Sequence, residues 1–195
     1  MCMKVSARTH NYDFGEYIRG WCGSQQLQNS PLIWEYYMSL LLHKGKYDDC
    51  VNFFLQHFTR EPPTRAVCEI LSAVAKTTAN PFLSARLLQL VHKHGYARTE
   101  LFDVNTISAM RIDLSHCKDR NDLKKRVMSA IYLDNAIAYV NAGATEITGP
   151  VLLALAVSCR ESGFLTRGLD ILMKSSELEV TLDFALLKEY CLEDE

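Results

Sequence analysis

The stretch Gly163–Phe184, GFLTRGLDILMKSSELEVTLDF, decides how this chain is to be read. A glycine opens it, an apolar-periodic run follows, and a short polar break leads into a new apolar run. Apolar residues at i, i+3 and i+4 mark a helix packed on one face. Two further places carry the same plan. At 45 the chain reads Gly-KYDD-Cys-VN-Phe, and at 80 it reads Asn-PFLS-Ala-RL-Leu. Each is a turn residue, four residues, a small residue, two more and an apolar one. The small residues Cys50, Ala85 and Gly168 fall early in a helix, where a short side chain lets a paired helix come close. Gly45 and Asn80 are 35 apart, and the helix starts at Pro31 and Thr64 are 33 apart. A period in the mid-thirties is the sequence mark of stacked helical hairpins.

Working outward, the helical spacing extends over most of the chain. Residues 31–44, PLIWEYYMSLLLHK, place Ile33, Trp34, Tyr37, Leu40 and Leu41 on one broad stripe. Ser30-Pro31 reads as a start, with Ser as N-cap and Pro at the first helical position, and Gly45 reads as a stop. A second helix is predicted near 47–58, broken by Pro62-Pro63. Further pairs are predicted at 64–77 with 81–94, at 99–115 with 119–142, and at 150–162 with 165–175. A last helix runs from Thr181 to Leu192. Before the first pair, residues 1–30 hold one predicted helix containing Gly15 and Gly20. Residues 31–195 then form the helical-repeat domain. Period-2 alternation is missing, so no sheet is predicted. The expected fold class is all-α, an α-solenoid of stacked antiparallel hairpins.

Composition bounds the function. The 195 residues are 48% hydrophobic and carry a net charge of −2, so no overall basic field draws the chain onto nucleic acid. Seven cysteines lie at 2, 22, 50, 68, 117, 159 and 191, without a C-x-x-C or zinc-ligand spacing. They read as small apolar residues in a reducing compartment. The most apolar run, Val151–Cys159, is too short to span a bilayer. Lys4, Ser6, Arg8 and Thr9 precede the first acid, Asp13. That pattern suits a mitochondrial targeting segment or else a frayed end.

The layout resembles the pentatricopeptide-repeat family, with the tetratricopeptide family as second choice. The match is carried by Gly163, Gly168, Ile171, Leu172 and Met173, by Leu182-Asp183 at the junction to a next unit, and by Trp34, Tyr36 and Tyr37 in a first helix. It covers roughly residues 31–192, the span 99–142 matching least. The resemblance implies a mitochondrial setting, with the cytoplasm as alternative, and a ribonucleoprotein partner. In that family, a residue ten before each break and another twenty after it choose a base. Those places hold Glu35, Ile70 and Leu153, then Arg65, Glu100 and Asp183. Only Asp183 has the expected chemistry, so base-by-base reading is not expected.

One basic cluster stands out. Residues 111–126 hold six Lys/Arg against three Asp. Lys118, Arg120, Lys124, Lys125 and Arg126 are the candidates for RNA-backbone contact, against a solvated helix face. The stretch from Glu177 onward has seven acids and one lysine, which suits a protein partner or plain solvent rather than RNA. P-loop, G-x-G-x-x-G, G-x-S-x-G and H-E-x-x-H motifs are all missing, and no catalytic constellation, metal site or cofactor site is read. His92 and His94 stand two apart on a helix and read as C-terminal charge rather than ligands. The expected function is a non-catalytic scaffold, with no small-molecule substrate, held in a large assembly such as a mitochondrial ribosome. A peptide-binding adaptor, with Trp34, Tyr37, Tyr47 and Phe54 lining a groove, is the alternative, and sequence-specific RNA binding ranks third.

Overall fold

A computed structural model describes residues 1–24, 31–58, 63–110 and 147–182, with isolated positions between 127 and 138 and at 187–188. Nine helices are delimited among the described residues, and no strand occurs there. They are α1 (Cys2–Arg8), α2 (Tyr12–Ser24), α3 (Pro31–His43), α4 (Tyr47–His57), α5 (Arg65–Thr77), α6 (Pro81–His94), α7 (Glu100–Ser108), α8 (Gly149–Glu161) and α9 (Leu165–Glu177). The described positions between 127 and 138 are also helical. Each helix packs on its neighbours in chain order. Helices α1, α3, α5, α7 and α8 touch one after another, while α2 bridges α1 and α3, α4 bridges α3 and α5, and α6 bridges α5 and α7. Helix α9 lies on α8.

Capping residues set the boundaries. Thr64, Asn80 and Thr99 each accept a backbone N–H three residues on, satisfying a donor that the first turn leaves open. The stops share one geometry. His10, Gly45, Ala79, Gly95, Gly163 and Glu179 adopt positive φ, and the next residue's N–H returns to a carbonyl five back. Lys46 N–H, for example, reaches Leu41 O, and Phe164 N–H reaches Cys159 O. This is the Schellman closure.

The shared stop corrects the register at 80. Asn80 is the N-cap of α6, and the left-handed residue is Ala79. Counting five on from His10, Gly45, Ala79 and Gly163 gives Gly15, Cys50, Ser84 and Gly168, all buried. Ser84 thus takes the place expected for Ala85, which is only partly buried. Its hydroxyl donates to Thr106 O on α7. Asparagine tolerates the left-handed conformation better than alanine, so residue type alone points to Asn80 rather than Ala79 and the one-residue slip is invisible in the sequence.

The N-terminal segment also differs from expectation: it holds two helices, not one. Residues 2–8 are not frayed, because Met3, Ser6 and Ala7 are buried. Gly15 does not weaken α2 but lets it close on its neighbours. A Cβ there would overlap Leu40 Cδ1 on α3 and meet Ser6 Oγ at 3.1 Å. In the core of the chain, Met38, Leu40, Leu41, Phe54, Leu71 and Leu87 are among the largest fully buried side chains.

Candidate interaction surface

Some of the positions where the resemblance implies base readers make contacts inside the chain instead. Glu35 on α3 accepts a hydrogen bond from Thr64 Oγ1, the cap of α5, at 3.2 Å. In the corrected register the next such residue is Glu69, not Ile70. Glu69 accepts from Arg65 Nε at 3.2 Å and from Thr99 Oγ1, the cap of α7, at 3.5 Å. A carboxylate of one helix thereby holds the cap of the next helix in the series, twice, 34 residues apart. Ile70 and Leu153 are partly buried against the core, and Glu100 is exposed. Arg65 lies at the α5 N-terminus in its ion pair with Glu69. Asp183 lies outside the described residues, as do Lys118, Arg120, Lys124, Lys125 and Arg126.

The aromatic groove candidates lie in the core or pack against it. Phe54 and Tyr37 are buried, while Trp34 and Tyr47 are partly buried and packed against the core. Trp34 stacks on His57 with ring centroids 4.5 Å apart and tilts against Phe53 at 4.9 Å. Burial, and then the charge of Arg19, hold the His57 imidazole below its usual proton affinity. Arg86 lies over the Phe54 ring at 5.4 Å, joining α6 to α4.

Glu16 on α2 is a hub that the sequence did not signal. It accepts from Tyr12 Oη at 2.8 Å, from Tyr37 Oη on α3 and from Arg19 Nη2 at 2.9 Å. Lys46 Nζ then donates to Tyr12 Oη at 2.9 Å and lies 4.4 Å over that ring. Burial alone would raise the Glu16 carboxyl, but the hydrogen bonds from Tyr37, Tyr12 and Arg19 win and hold it low. Glu16 and Tyr37 are 21 residues apart, outside any local pattern.

Four described cysteines, Cys22, Cys50, Cys68 and Cys159, are buried, and Cys2 is exposed. Burial pushes the thiols of Cys50 and Cys68 up to about 12, which suppresses the nucleophilic thiolate. Among the described residues, no three His, Cys, Asp or Glu side chains gather as metal ligands, and no helix is long and apolar enough to cross a membrane. The arrangement is suited to holding helices together and presenting their outer faces. No protein-family model, curated protein or solved structure matches this chain.

Proposed function

We propose that this chain is a non-catalytic helical-repeat scaffold, an α-solenoid of about four to five stacked hairpins. Its setting is a large mitochondrial ribonucleoprotein such as the mitochondrial ribosome, where it is a structural or assembly component. One observation carries the scaffold reading. The same left-handed stop, followed five residues later by a buried small residue, joins α1 to α2, α3 to α4, α5 to α6 and α8 to α9. Helices α1, α3, α5, α7 and α8 in serial contact support it. The mitochondrial and ribonucleoprotein parts rest on the resemblance to the pentatricopeptide family. Base-by-base reading is disfavoured because Glu35 and Glu69 are engaged by Thr64 and Thr99. The peptide-groove reading loses support because Tyr37 and Phe54 are in the core.

Affinity purification of the full chain from its native organism tests this. Ribosomal proteins and ribosomal RNA should co-purify. Replacing Lys124, Lys125 and Arg126 with Ala should remove salt-sensitive RNA contact while leaving the protein partners. Recovery of the chain without any ribonucleoprotein, or turnover of a substrate by the isolated chain, would overturn the reading.

A further inference from the structure

Two second helices in the middle of the chain leave a groove between them. Helix α4 packs on α3 and α5, and α6 packs on α5 and α7, so the line between α4 and α6 runs open over α5. At one end it widens to a cavity of about 600 Å³, with Asp48, Val51 and Asn52 on the α4 side and Thr78 and Pro81 on the other. Leu55 continues the α4 wall one turn beyond Val51, and Phe82 and Arg86 stand one turn apart along α6. Leu55 is 41% exposed and Phe82 is 69% exposed. Large apolar side chains held outward along one groove mark a contact surface.

The groove is also charged, with opposite signs toward its two ends. Lys46 pairs with Asp49 at 3.8 Å, which leaves the neighbouring Asp48 outside any ion pair among the described residues. Arg86 lies 5.4 Å over the Phe54 ring and is likewise outside any ion pair among the described residues. Phe54 is six residues along α4 from Asp48, so the two charges stand about 9 Å apart along the groove, nearly two helical turns. Acid, apolar wall and base follow one another. The complement is a helix with a basic residue at one place, apolar residues three and four further on, and an acid at the seventh. We propose that this groove holds an amphipathic helix of a partner protein, its basic residue on Asp48, its apolar stripe on Leu55 and Phe82, and its acid on Arg86. Trp34, Tyr37 and Tyr47 take no part in it. The proposal rests on the scaffold reading, because it names the chemistry of a segment such a scaffold holds.

Panning a phage library of helix-forming peptides on the full chain, followed by fluorescence anisotropy of the best synthetic peptide, tests it. Recovered peptides should carry the basic, apolar and acidic residues in that order and spacing. Asp48→Lys should weaken the peptide by about tenfold or more, and Leu55→Ser by a similar factor. Circular dichroism and the thermal midpoint of both variants should match the parent, because both side chains are exposed. Replacing the peptide's basic residue with Glu should restore binding to the Asp48→Lys chain while weakening it on the parent. Recovery of no peptide, or of peptides that bind both variants as tightly as the parent, overturns the proposal. If ribosomal proteins and ribosomal RNA still co-purify with the chain in that case, the groove alone fails. If they do not, the scaffold reading fails with it.

Discussion

Gly15 and Gly20 sit five residues apart on one helix and show how position sets a residue's worth. Intrinsic propensity favours alanine over glycine by about 1 kcal/mol at either site. At Gly20 nothing stands within 4 Å of an added Cβ, so Gly20→Ala should stabilise by up to about 1 kcal/mol. At Gly15 the Cβ overlaps Leu40, which is too buried to move aside, so Gly15→Ala should destabilise by about 1–3 kcal/mol. Urea unfolding midpoints of the two variants should shift in opposite directions. His57 gives a pH signature. Its folded-state proton affinity lies below the ordinary value of 6.5, so the unfolded chain binds the proton more tightly. Stability is therefore full above pH 6.5 and declines as pH falls through 6.5 toward the lowered value. His57→Gln should flatten that part of the profile of melting temperature against pH. The apolar stripes and the turn residues were legible from residue types alone. The Glu16 hub was not, because hydrogen bonds across 21 residues leave no periodic trace.

At the scale of an element, starts and stops carry the information. Pro31, Thr64, Asn80 and Gly149-Pro150 opened helices at or within a residue of where their chemistry predicts. Gly45, Gly95 and Gly163 closed them, with φ between 63° and 78°. Ala79 holds the same left-handed conformation at φ 45°, which costs an L-residue about 1 kcal/mol or more. Ala79→Gly should therefore raise the unfolding midpoint, and Gly45→Ala should lower it, each by about 1 kcal/mol. Thr64 and Thr99 have two tasks, capping their own helix and holding Glu35 and Glu69. Thr64→Ala or Thr99→Ala should cost about 1–2 kcal/mol, at the upper end of an ordinary cap loss. Differential scanning calorimetry of the two variants checks this. The double role was hidden because a capping threonine has the same sequence whether or not a carboxylate lies across from it.

For the whole molecule, contacts run mainly between neighbours in chain order, so a lesion should stay local. Leu40 lies on α3 beneath Gly15 of α2, and α3 touches α1, α2, α4 and α5. Leu40→Ala should cost about 2–5 kcal/mol. Hydrogen exchange should then quicken in α1–α4 while α8 and α9 keep their protection. Uniform loss across all helices would mean a single cooperative core instead. Helical class, most helix boundaries and the recurring turn were set by the sequence itself, because 3.6-residue spacing, caps and positive-φ residues act within a few positions along the chain. The second N-terminal helix, the one-residue register at Ala79 and the engaged carboxylates were decided only by tertiary structure. Each depends on which atoms of distant residues come within contact distance, and burial of that kind has no local signal.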